Sequence, residues 1–109
     1  MLKPTSKSNK MSIDKQFLKS KPECKVTFTL PAKEAKSVEV AGAFNNWTPA
    51  KLPLKKRKDG VFKGTINLPV NNSFEFKYVV DGNVWLNDEE ADKLVWNDFA
   101  GSENGVLEL

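Results

Sequence analysis

The sequence predicts an all-β sandwich of about seven short strands, on three observations. Apolar and polar residues alternate with a period of two in several runs. Gly, Pro, Asn and Asp separate those runs at short intervals, and no long stretch carries the 3.6-residue apolar period of a core helix. With 109 residues, 39% of them hydrophobic and 10% aromatic, the chain can bury one modest core.

Along the chain, residues 1–10 (MLKPTSKSNK) are polar, lysine-rich and aperiodic and read as a tail without regular structure. Over 12–20 (SIDKQFLKS), Ser12 as N-cap and Ile13 with Phe17 at i, i+4 predict a short amphipathic helix on the domain's edge, ended by Pro22. Residues 1–23 are therefore expected to be tail plus helix, and residues 24–109 the sandwich. There the period becomes two. Val26, Phe28 and Leu30 alternate with Lys25, Thr27 and Thr29; Val38 and Val40 with Ser37 and Glu39; Phe62, Gly64, Ile66 and Leu68 with Lys63, Thr65 and Asn67. In FEFKYVV, Phe74, Phe76, Tyr78 and Val80 share one face and Glu75, Lys77 and Val79 the other. Asp59-Gly60 and Asp81-Gly82 read as hairpin turns, built on residues that tolerate positive φ. GVLEL is a closing strand. This succession of short strands suggests a sandwich of immunoglobulin type, without the Cys-Trp-Cys pattern of a disulfide-pinned one.

Composition narrows the chemistry. Cys24 is the single cysteine, so no internal disulfide forms, and it reads as a small buried residue. Histidine is absent, which removes the usual general base and the commonest zinc ligand; no catalytic residue, metal or cofactor is expected. The net charge of +3 is uneven: seven lysines against Asp14 and Glu23 put +5 on residues 1–25 and leave −2 for the rest. A body that is not basic argues against a nucleic-acid domain. No apolar run reaches membrane-span length and no secretory signal is visible, so no membrane partner is expected and the cytoplasm is the expected compartment.

Trp47, Trp85 and Trp96 are many tryptophans for so short a chain. Trp47 lies between FNN and TP, and Trp85 just past the Asp81-Gly82 turn. Large aromatics usually pack inside, yet these positions favour exposure. An exposed indole offers an apolar plate with a polar N–H, which suits a pyranose ring: its axial C–H groups stack on the ring while its hydroxyls take hydrogen bonds. Lys77, opposite the aromatic row of its strand, and amides such as Asn104 are the expected hydroxyl partners.

Three stretches in order, VEVAGAFNNWTPAKLPLKKRKDGVF, FEFKYVVDGNVW and GSENGVLEL, resemble the glycogen-binding domain of the AMP-activated protein kinase beta subunit and, more broadly, carbohydrate-binding module family 48. The resemblance covers about residues 24–109 and implies an early-set immunoglobulin-like sandwich that binds α-1,4-glucans (glycogen, starch, maltooligosaccharides) without catalysing a reaction. It places the stacking tryptophans at Trp47 and Trp85, the hydroxyl-bonding lysine at Lys77 and asparagine at Asn104, and a hydroxyl-bearing contact at Ser102. It also implies a glycogen-metabolising enzyme as a partner. Two features differ from the kinase module: NVW follows the Asp81-Gly82 turn with one extra residue, and Ala100 beside Phe99 stands where that module offers a ring-threading leucine. Trp96 is either a further platform or a lid on the sandwich edge.

Other motifs have plainer readings. KKRK (55–58) before the Asp59-Gly60 turn reads as the solvated arm of a hairpin guarding a sheet edge, and NDEEAD (87–92), lacking the D-x-[DN]-x-[DN]-G calcium loop, as an acidic surface loop. Glycoside hydrolysis would need two carboxylates held across a sugar in a sheltered cleft, which nothing in the sequence promises. The rival to glucan binding is a protein-interaction or scaffold domain of the same fold without useful sugar affinity.

Overall fold

A computed structural model describes residues 11–48, 52–98 and 101–109. The expected tail at 1–10, and Phe99 with Ala100, lie outside the described residues. The strands are β1 (Ser12–Phe17), β2 (Glu23–Pro31), β3 (Val38–Gly42), β4 (Lys55–Lys56), β5 (Val61–Pro69), β6 (Ser73–Val80), β7 (Val84–Leu86), β8 (Lys93–Asn97) and β9 (Ser102–Glu108). They form two antiparallel sheets. Sheet A runs β1-β2-β5-β4 and sheet B runs β3-β6-β9-β8, with β7 also on β6. The all-β sandwich is as the alternation predicts, with nine strands among the described residues against the expected seven or so, several of them very short.

Alternation decides which side chains fill the space between the sheets. Val26, Phe28 and Leu30 of β2 face Phe76, Tyr78 and Leu107 of sheet B, and all six are at most 2% exposed. Phe28 is the hub, with ring centroids of Phe76, Tyr78 and Phe44 at 5.5, 6.2 and 6.3 Å. Gly64 takes an inward position because Leu54 needs the room: a Cβ there would stand 2.5 Å from Leu54 Cδ2. Cys24 is buried and its thiol pKa is raised, chiefly by that burial.

The expected helix at 12–20 is instead β1. It pairs with β2 so that Ile13, Lys15 and Phe17 stand opposite Phe28, Val26 and Cys24. The i, i+4 spacing of Ile13 and Phe17 puts two residues on one face of a strand as well as of a helix, and pairing with β2 satisfies the backbone. Lys15, at an inward position on this edge strand, crosses to sheet B and donates from Nζ to Asp92 Oδ2 at 2.7 Å and to the Glu108 carbonyl at 2.9 Å. An inward charge on an edge strand discourages another chain from pairing there.

The two Asp-Gly turns differ. At Val80-Asp81-Gly82-Asn83 both central residues have positive φ (53° and 75°), and Asn83 N–H donates to Val80 O, a type I′ hairpin turn. At Arg57–Gly60 only Gly60 is left-handed (φ 85°), so Asp59 does not need the positive φ expected of it; its carboxylate accepts from Arg57 and from Val61 N–H. KKRK supplies β4, the edge strand of sheet A, as the hairpin-arm reading requires.

NDEEAD departs from the acidic surface loop in one residue. Asp88 is 2% exposed and accepts hydrogen bonds from the Tyr78 hydroxyl and from Glu90 N–H. Burial raises the Asp88 carboxyl, helped by the charges of Glu90 and Glu89, although the Tyr78 and Glu90 hydrogen bonds pull it down. Burial also pushes the Tyr78 hydroxyl up, with the Asp88 charge and hydrogen bond adding to it.

Candidate functional site

The outward side of sheet B carries the predicted residues. Because opposite residues of paired strands share a face, Glu75, Lys77 and Val79 of β6 lie in register with Val106 of β9, Ala41 of β3 and Trp85 of β7 respectively. Lys93 and Val95 of β8 stand beside Val106 and Asn104 of β9, extending the same face. β3 occupies one edge of β6 over residues 76–80, so β7 must run along the other edge, beyond the end of its pairing with β9. The face is more apolar than an open surface usually is. Val79 and Val106 point outward and are nevertheless 2% and 3% exposed.

In FNNW, residues 44–47, each position has its own place in the loop that leaves β3. Gly42 lets β3 approach β6 closely, since a Cβ there would lie 2.8 Å from Glu75 O and 2.9 Å from Phe76 Cβ. The 3-10 turn Ala43–Asn45 follows. Phe44 packs back against Phe28 and Phe74. Asn45 is buried and staples the turn: its Oδ1 accepts from Gly42 N–H and its Nδ2 donates to Val40 O, both at 3.0 Å. Asn46 and Trp47 are then both left-handed (φ 55° and 57°), and Trp47 N–H closes the loop onto Gly42 O at 2.8 Å. A left-handed backbone is a real outlier for so bulky a side chain, a conformation that costs on the order of 1–3 kcal/mol and persists only where the surroundings impose it.

The strained loop sets the indole beside an open pocket of about 400 Å³ on the outer face of sheet B. Ala43, Trp47, Val95 and Val106 supply apolar walls, and Ser73, Glu75, Lys93 and Asn97 supply polar groups. Such a lining can meet both apolar and hydrogen-bonding groups of a ligand. Trp47 itself is half-buried rather than fully exposed.

The other predicted residues are distributed along the face. Lys77 Nζ donates to Ser102 Oγ at 3.1 Å, which ties β6 to β9 on this face. Trp85, 46% exposed, lies opposite Val79 at the far end. From Glu75 to Val79 along β6 is about 13 Å at the usual strand rise, longer than one pyranose ring. Asn104 is placed differently from a surface amide: it is 3% exposed and donates from Nδ2 to Glu75 Oε1 at 3.0 Å. Trp96 does not join the set. It stands opposite Glu103 in β8, at a position whose side chain points to the other side of the sheet from Val95; it is 63% exposed, and its indole N–H donates to Asp98. Trp85 and Trp96 both lie on strands, so of the three tryptophans Trp47 alone is on a loop.

Sequence reasoning missed Glu75 and Lys93. Glu75 was legible in part, as it precedes Lys77 by two in FEFKYVV and shares its face. Lys93 depends on β8 pairing with β9, which no local pattern announces. Among the described residues, no group of three or more His, Cys, Asp or Glu is placed to hold a metal ion, and no helix is long and apolar enough to cross a membrane.

A two-sheet sandwich with a tryptophan-edged pocket of mixed apolar and polar lining on one outer face is an architecture that suits a glycan-binding module. Residues 24–109 match the family described as the glycogen recognition site of AMP-activated protein kinase, and the chain belongs to that family. β1 lies outside the matched span yet completes sheet A. A search of curated proteins gives no match to the chain.

Proposed function

We propose that this chain is a non-catalytic module that binds α-1,4-glucans on the outer face of sheet B. Trp47 and Trp85 stack on glucose rings, and Lys77, steadied by Ser102, donates to sugar hydroxyls. The observation that carries the reading is the strained backbone at Asn46 and Trp47, which holds an indole beside a pocket of mixed apolar and polar lining on the face shared with Lys77 and Trp85. A lysine ammonium has three protons and Ser102 takes one, which leaves donors for a ligand. Family membership supports the glycogen part of the proposal. Titration with maltoheptaose, followed by tryptophan fluorescence, tests it, with cellohexaose as the β-linked control. Saturable binding of the α-linked sugar alone, with Kd on the order of 10 µM to 1 mM, is expected. No response from the folded protein would overturn it.

The second reading is a protein-interaction domain, and one observation favours it: Leu94 and Trp96 are 48% and 63% exposed on the edge strand β8. A glycogen-metabolising enzyme docking there would be compatible with glucan binding on the opposite side of the same strand. Loss of co-purification with such an enzyme in a Leu94→Ser, Trp96→Ser variant that still binds maltoheptaose would assign the two sides separately.

A further inference from the structure

Glu75 is in an unusual position for a carboxylate. It is half-buried and lines the Trp47 pocket, beside the outward Val106. Among the described residues Asn104 is its one side-chain donor, and no cation forms an ion pair with it; Lys93, on the same pocket, pairs with Glu108 instead. A carboxylate has two oxygens and about four acceptor sites, so a single neutral donor leaves most of its capacity unused, at a cost that grows with burial. Asn104, in contrast, is almost wholly buried, and it gives one of its two Nδ2 protons to Glu75 Oε1.

We infer that Glu75 is a sugar-contacting residue of this site and that Asn104 is a positioning residue that acts through it. Asn104 fixes Oε1, which leaves Oε2 to accept from hydroxyls of the ring stacked on Trp47. Charge-assisted O–H···O⁻ bonds are among the stronger hydrogen bonds and are directional, so the carboxylate selects for rings presenting hydroxyl donors on the edge that faces β6. The inference rests on the glucan-binding reading and refines it, since it moves direct contact from the asparagine to the glutamate.

The test is isothermal titration of the full chain with maltoheptaose, comparing wild type with Trp47→Ala, Glu75→Gln, Glu75→Ala, Asn104→Ala and the Glu75→Ala, Asn104→Ala pair. Glu75→Gln keeps the size of the side chain and an acceptor for Asn104, so the fold is retained while the charge-assisted bond is lost. Its affinity is expected to fall about tenfold. Asn104→Ala should weaken binding less than Glu75→Ala, and the double variant should be no weaker than Glu75→Ala alone. Urea unfolding of each variant separates loss of fold from loss of contact. Wild-type affinity in Glu75→Gln, with binding abolished in Trp47→Ala, overturns the inference and leaves the glucan reading standing. Losses that multiply in the double variant make Asn104 a direct contact and overturn the positioning role. A wild-type chain that binds no maltoheptaose overturns both readings.

Discussion

The two outward faces of the sandwich are built by the same alternation and end as different surfaces. On sheet A the outward positions are Lys25, Thr27, Thr29, Lys63, Thr65 and Asn67, a polar row in which the Thr27 and Thr65 hydroxyls bond each other at 3.1 Å. On sheet B they include Val79, Val95 and Val106, with Trp47 and Trp85 at the two ends and Lys77 and Glu75 between. Water is an adequate partner for the first face. On the second, Val79 and Val106 are already covered while Trp85 stays 46% exposed, and the loop bearing Trp47 is held in a costly conformation beside them. The proposal of a glucan surface on sheet B rests on this difference between the two faces.

The largest effect expected is at the two indoles. If each stacking contact covers roughly 100 Å² of apolar area, the pair contributes on the order of 5 kcal/mol before the costs of association. Trp47→Ala, Trp85→Ala should therefore lose maltoheptaose binding altogether by titration, whereas Thr27→Ala, Thr65→Ala on the other face should bind as the wild type does. Equal behaviour of the two variants would break the distinction between the faces.

Next in size is Asn45, which touches the site only through the backbone it holds. Asn45→Ala removes two hydrogen bonds in a buried turn and leaves Gly42 N–H and Val40 O without their side-chain partner, a loss of about 1–3 kcal/mol in stability by urea unfolding. Freed from its turn, Trp47 should also lose affinity in the folded variant, with Trp85 still in place. Unchanged affinity would mean that the left-handed loop is incidental to binding.

Much of this comparison was readable in the sequence. The alternation gave the strands, and the aromatic row of FEFKYVV put Lys77 outward, as the structure has it. Val79 already broke the polar series on that outward side. Other parts depended on long-range pairing. Ile13 and Phe17 fit a helix and a strand alike, and β2 decides between them. Asn104 reads as a surface amide, yet it is almost wholly buried and donates to Glu75, 29 residues earlier in the chain. Asp88 lies within an acidic run and is buried because Tyr78 on β6 reaches its carboxylate. Trp47 and Trp85 share a face only through the crossover that brings β3 and β7 to opposite edges of β6.

A smaller effect concerns Lys77. Lys77→Met keeps the aliphatic stem and removes the donors, so affinity should fall about fivefold, the loss of roughly one net hydrogen bond. Ser102→Ala should do less, because the ammonium keeps all three protons and loses only its steadying partner. An affinity loss for Ser102→Ala larger than for Lys77→Met would identify the hydroxyl as the principal contact.

The smallest effect distinguishes the sheets by pH, and its sign follows from two aspartates. In the sheet A hairpin, Arg57 and the Val61 N–H hold Asp59 below the usual carboxylate range. The stability it contributes is present above its unfolded value, near pH 4, and is lost as pH falls through the lower folded value. Asp88, under sheet B, is shifted the other way by burial, so the native state takes up its proton first. It costs stability above its folded pKa, and that cost is relieved as pH falls toward the unfolded value. Urea unfolding between pH 7 and pH 3 should therefore show wild type losing ground to Asp59→Asn on acidification and gaining ground on Asp88→Asn. Parallel curves for wild type and Asp88→Asn would mean that the buried carboxylate is as well solvated by Tyr78 and the Glu90 N–H as by water. The asymmetry would then be confined to the outer faces and absent from the chemistry beneath them.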